Sequence, residues 1–242
     1  MGATWPASVF PLYVFESVQP KAVQAALIQT FERWGMPCRL RVDNGQPWGG
    51  RDLPTVLSLW LLGLGIEVVW NRPRQPTDNS HVERAHRTNK NWVEASSCNS
   101  QSALQQRLEQ AHQIQRNAYP YRQGQARTQV YPTLERGARR FDRRDWQLSR
   151  IDEWFQKRWW ARRVDSSGKI SLYGRNYSVG KRYRRDRVSV RFEPESRCWQ
   201  VFDAKGDCLK SMPTRELHQQ VIEQALLTGS MQTVKYVPSG QT

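Results

Sequence analysis

Apolar positions change period several times along the chain, and each change marks an element. Val9–Ser17 (VFPLYVFES) is apolar enough for a strand, and Pro11 confines it to a sheet edge because proline has no N–H to add to a ladder. Pro20 is placed to open a helix whose Val23, Ala26, Leu27, Phe31 and Trp34 fall on one side, and Gly35 closes it. Cys38–Val42 is a short strand that runs into the turn signal Asp43-Asn44-Gly45. Leu53–Leu64 then reads as a buried helix and Ile66–Trp70 as a buried strand, separated at Gly63 and Gly65. The same run is about as long as a membrane span, but Pro54, Gly63, Gly65 and Glu67 interrupt it and favour helix then strand. A turn-rich loop, Arg72–Asp78, leads to a helix that starts at Asn79 or Ser80 and carries Glu83. A further helix covers about Ser102–Asn117. Alternating strands and helices predict an α/β domain over residues 1–118.

After that point the periodicity fades, and residues 119–145 read as a basic linker. Short strands are predicted next: Lys169–Tyr173, Asn176–Val179, Val188–Phe192, Trp199–Phe202 and Cys208–Met212. In the third of these, Val188, Val190 and Phe192 face inward while Arg187, Ser189 and Arg191 face out. Residues 146–215 thus form a small all-β barrel with one basic face, and Trp159 and Trp160 add aromatic surface to it. Residues 216–242 hold a terminal helix, Glu216–Leu227, and a loose end.

Composition narrows the function classes. The 242 residues are 38% hydrophobic with 11 Trp, enough to bury a core and too many for wholesale disorder. Four Cys, at 38, 98, 198 and 208, show no CxxC pair, which argues against zinc or a disulfide framework and for reduced thiols in the cytoplasm. The net charge is +15, yet residues 1–70 carry 5 basic and 5 acidic side chains. The excess is densest in residues 136–197, with 19 basic and 8 acidic side chains. Such asymmetry points to a polyanion for the second half, with nucleic acid the usual one.

Two carboxylates stand out by position. Asp43 lies at the carboxyl end of a strand beside a glycine turn, where α/β sheets gather ligands. Glu83 lies early in a helix on which Arg87 and Lys90 follow at i+4 and i+7, on one face. A carboxylate beside cations that can hold phosphates suits metal-assisted phosphoryl chemistry. A turn-forming Asp43 and a surface Glu83–Arg87 ion pair fit the same spacing.

These residues carry a resemblance. RVDNGQPW (41–48) and GIEVVWNRPRQPTDNSHVERAHRTNKNWVE (65–94) resemble the retroviral-integrase-type, three-acid (DDE) core of bacterial insertion-sequence transposases. KISLYGRNYSVG and RVSVRFEPESRCWQVFDAKGDCLKS are similar to that family's small C-terminal, SH3-like barrel, so the likeness covers about residues 9–215. The fold it implies is an N-terminally incomplete ribonuclease-H-like integrase core followed by that barrel. The resemblance makes Asp43 and Glu83 the second and third catalytic, metal-binding acids, with Arg87, Lys90, Arg187 and Arg191 on DNA. It implies Mg²⁺ (or Mn²⁺), two ions in a complete site, and transesterification of DNA at transposon ends and target. It also implies a homo-oligomer when complete, with no membrane, in a bacterial, nucleoid-associated setting.

The sequence departs from that family in one respect that bears on activity. The first acid is an Asp on the first strand of the sheet, but residues 1–42 contain only Glu16 and Glu32. Ser80-His81 replaces the glycine that precedes the last acid, and His81 and His86, flanking Glu83, have no metal-ligand spacing. The expectation is a truncated or split transposase that needs an upstream segment for cleavage and strand transfer. The alternative is a noncatalytic DNA-binding remnant or regulator of transposition. An RNA-binding translation protein fits the charge and the barrel but leaves Asp43 and Glu83 unexplained.

Overall fold

A computed structural model of the chain describes residues 13–49, 52–72, 74–75, 80–132, 139–229, 231 and 234. It divides into two units that cut across the expected boundaries: residues 1–44 with 66–142, and residues 45–65 with 143–242.

The first unit begins with irregular chain. Residues 9–12 of the expected strand Val9–Ser17 lie outside the described residues, and residues 13–17 are not a strand. The reason is local: the Val14 N–H donates to Gln105 Oε1 at 3.0 Å, and its carbonyl accepts from Gln101 Nε2 at 2.9 Å. Side chains of a helix satisfy this backbone, so it needs no sheet. Helix α1 (Pro20–Trp34) starts on its proline, buries Val23, Ala26, Thr30 and Phe31, and stops at Gly35, whose φ is 82°. Strands β1 (Arg39–Val42) and β2 (Glu67–Trp70) pair in parallel, with Arg39 opposite Glu67 and Val42 opposite Trp70.

Helices α3 (Ser80–Val93) and α4 (Gln101–Asn117) pack together in this unit. Val93, Leu108 and Ala111 form a small apolar cluster, with Val14 and Leu104 against it. Phe31, Met36, Val42, Ile66 and Val68 are buried in this unit as well, and so are several polar groups. Gln115 Nε2 donates to Asn89 Oδ1 at 2.9 Å, and Arg127 of the short helix α5 (Arg127–Val130) donates to the Gln115 carbonyl at 2.7 Å. The Arg116 guanidinium lies 4.0 Å from the Trp34 ring centre. Buried His112 has its pKa lowered to about 4, by desolvation first and by Arg116 second, with Glu109 opposing.

The second unit contains the most apolar element of the chain. Helix α2 (Val56–Gly63) is buried on every side, as an all-round hydrophobic helix must be. The α/β reading placed it with the first domain; it packs instead with α6 (Leu148–Gln156) and α7 (Gln219–Thr228). Gly63 permits this, since a Cβ there would come 2.1 Å from Trp146 Nε1. The Gly63 carbonyl, left over at the helix end, accepts from the Gln147 N–H at 3.0 Å and from Arg150 Nη1 at 2.9 Å.

Strands β3 (Trp160–Arg163), β6 (Arg187–Glu193), β7 (Cys198–Phe202) and β8 (Cys208–Pro213) form an antiparallel sheet in that order. Strands β4 (Lys169–Leu172) and β5 (Arg175–Ser178) form a separate hairpin. Four aromatic rings fill the centre: Phe155 lies 5.2 Å from Trp160, 5.9 Å from Phe192 and 5.7 Å from Trp199. Edge-to-face contacts of this kind add to the burial itself. Helix α6 and strand β3, absent from the sequence reading, thus supply two of the four rings.

The terminal helix starts at Gln219, three residues later than expected, because Glu216 is used inside. Its carboxylate is fully buried and accepts from the Tyr177 hydroxyl at 2.8 Å, Thr214 Oγ1 at 3.2 Å and Trp199 Nε1 at 3.4 Å. Arg175 Nε stands 3.4 Å away as its counter-charge. Burial, and then the Glu216 carboxylate, raise the Tyr177 hydroxyl above its ordinary pKa. A buried charge persists only when paired and hydrogen-bonded in this way.

Candidate nucleic-acid interface and acidic pair

The outer face of the four-stranded sheet follows from its register. Trp160, Val188, Val190, Phe192, Trp199 and Val201 point inward and are buried, so residues alternate with them on the other side. Arg163 lies opposite Arg187, and Ala161 opposite Ser189. Ser189 in turn faces Phe202, and Arg191 faces Gln200. Both Arg163 and Arg187 are exposed. Among the described residues no carboxylate pairs with either. Like charges directly opposite in a sheet repel, and a bound polyanion relieves that repulsion.

Arg191 differs from the expectation of a freely outward cation. It is half-buried, donates to Gln200 Oε1 at 3.0 Å, and lies 3.5 Å from Glu193 Oε2. Its guanidinium sits 5.4 Å from the Trp159 ring centre and 5.7 Å from that of Phe202. The two tryptophans expected to share this face separate: Trp160 is core, while Trp159 is 54% exposed. Sequence reasoning missed Arg163 because WARR carries a single inward apolar residue, too few to reveal a strand period.

Residues 160–205 match the family model of the IS481 family transposase, C-terminal domain. The matched segment runs from the start of β3 through β7, the strands that build this face. The second unit is therefore similar to the C-terminal part of an insertion-sequence transposase. DNA is the polyanion which that similarity suggests for the exposed Arg163–Arg187 row.

The acidic pair lies in the first unit. The β1–β2 ladder continues past its last residue pair, since the Asn71 N–H donates to the Val42 carbonyl at 2.9 Å. Asn44 Nδ2 then donates to the Asn71 carbonyl at 2.8 Å. Between these two anchors Asp43 is exposed at the carboxyl end of β1. Glu83 is exposed in the first turn of α3, where the helix dipole favours a carboxylate. Arg87 and Lys90 are exposed further along the same helix, as is His86, whereas the His81 side chain lies outside the described residues.

The structure therefore groups Glu83, Arg87 and Lys90 on α3, places Asp43 on a separate element, and puts Arg187 and Arg191 on β6 of the other unit. Among the described residues no three or more His, Cys, Asp and Glu side chains converge on a metal site. Carboxylate oxygens suit Mg²⁺ in kind, but two of them fall short of the set that fixes a metal pair. Among the described residues no helix is long and apolar enough to cross a membrane.

Proposed function

We propose that this chain acts in DNA transposition, its second unit binding DNA through the outer face of the β3–β6–β7 sheet. The observation that carries the reading is the exposed Arg163–Arg187 row, which no carboxylate among the described residues pairs, on a sheet similar to a transposase C-terminal domain. In this reading the first unit is part of a ribonuclease-H-like core. Asp43 and Glu83 are two of three acids in a site that would hold Mg²⁺ or Mn²⁺. When bound, the metal would activate a DNA hydroxyl or water and steady the leaving oxygen. This chain's own groups position DNA: Arg87 and Lys90 on α3 meet phosphates next to Glu83, while Arg163 and Arg187 hold DNA elsewhere. In this reading residues 1–42, whose carboxylates are Glu16 and Glu32, do not supply the first acid. A noncatalytic DNA-binding role remains the second reading, favoured by the lack of a three-acid cluster among the described residues.

One titration tests the proposal. The full chain, incubated with labelled duplex and Mg²⁺ across a salt series, binds with an affinity that falls steeply as salt rises and leaves the DNA uncut. Arg187→Gln lowers the logarithmic salt slope by about one. Salt-independent binding would overturn the DNA reading. Cleavage or joining by this chain alone would overturn the missing acid.

A further inference from the structure

The outer sheet face is more than a basic surface. Its exposed Arg163 and Arg187 lie at one end and Trp159 at the other, with Ala161, Ser189 and the half-buried Phe202 in the row between them. Arg163 and Arg187 form the first row, Ala161 and Ser189 the second, and Trp159 stands in the third beside Arg191. Trp159 directly precedes β3, four residues from Arg163, a span of roughly 13 Å in extended chain. Ala161 and Ser189 leave the floor between them low.

The Trp159 indole is fixed although it is exposed. It meets Phe202 edge-on at 5.2 Å between ring centres and 64° between planes. Arg191 lies near both rings and is itself held by Gln200. A large aromatic left 54% open to water on a charged face gains nothing for folding by that exposure. An indole next to the Arg191 guanidinium, with the exposed Arg163 and Arg187 further along the same face, matches the chemistry of an unpaired base with its own phosphates: the π-face stacks, and the anionic backbone runs to the cations. A duplex offers phosphates to such a face but keeps its bases stacked within.

We infer that this face binds single-stranded DNA, one unpaired base stacking on Trp159 and the adjoining backbone crossing Ala161 and Ser189 to Arg163 and Arg187. The inference rests on the DNA-binding reading above and adds the state of the DNA. The test measures binding of the full chain to labelled oligothymidine and to a blunt duplex by fluorescence anisotropy over a salt series. Trp159→Ala lowers oligothymidine affinity roughly ten- to one-hundred-fold and leaves duplex affinity unchanged. Trp159→Phe, which keeps an aromatic face, retains most of the lost affinity. Arg163→Gln with Arg187→Gln flattens the salt slope for both probes.

Equal losses on both probes with Trp159→Ala, no loss on either, or no recovery with phenylalanine would overturn the stacking site. A wild-type chain that binds duplex but not oligothymidine would do the same while leaving DNA binding intact. A chain that binds neither would end both readings.

Discussion

The two units keep their interiors together by different means. In the second, four aromatic rings interlock and a helix apolar but for Ser58 is buried whole, so dispersion and water exclusion dominate. In the first, the sheet has two strands among the described residues, and Thr30, Asn71, Asn89, His112, Gln115 and Arg116 are all buried. Hydrogen bonds contribute less net stability than apolar burial and cost more when one partner is lost. A parallel pair of strands has little standing by itself. The second unit is thus the more robust body, and the first responds more readily to its surroundings.

The largest expected effect falls on the aromatic cluster. Trp199→Ala removes a fully buried ring and one donor to Glu216, and should destabilise the second unit by about 3–5 kcal/mol. Hydrogen exchange followed residue by residue should show protection collapsing in β6 and β7 while α3 and α4 keep theirs. Equal loss in both units would show a single cooperative body and break the contrast.

Acid should act on the other side of the comparison. His112 has a folded pKa of about 4 against an ordinary 6.5, so the unfolded chain binds the proton more readily. Its contribution to stability is complete above pH 6.5 and is lost as pH falls toward 4. Stability of the first unit should be about 2 kcal/mol lower at pH 4.5 than at pH 7. His112→Gln should flatten that dependence in urea titrations followed at α4. An unchanged slope in this variant would place the acid sensitivity elsewhere.

The smallest effect belongs to the Arg162–Asp52 ion pair. Arg162 Nη2 lies 2.7 Å from an Asp52 oxygen, but the Asp52 side chain is 60% exposed. Asp52→Asn should therefore cost less than about 1 kcal/mol in equilibrium unfolding. A loss above 2 kcal/mol would mean that this pair, rather than burial of α2, secures residues 45–65.

Several elements were legible because their own residues dictate them. Pro20 and Gly35 bracket α1, and the alternation in RVSVRFE sets the inward and outward faces of β6. The buried character of 56–63 was equally plain, but not its destination, since a helix apolar on nearly every side carries no stripe to say which neighbour it covers. Helix α6 was hidden because its Ile151 and Phe155 sit within a run of charged residues. The irregular path of residues 13–17 depends on Gln101 and Gln105, far along the chain, and no local pattern reports that. Asp43 and Glu83 were readable as candidates from the turn signal and the helix start. What they bind was not, because a metal site is a convergence of segments and each segment looks ordinary alone.

Gly63 and its tryptophan cover have a consequence for heredity as well as for packing. Because residues 45–65 belong with 143–242, the polypeptide passes from one unit to the other at 44/45, 65/66 and 142/143. A gene cut once between the halves, at the codons near 142, would hand the downstream piece its strands without α2, stripping the cover from α6 and α7. The C-terminal unit is therefore not a cassette that one cut near residue 142 releases whole.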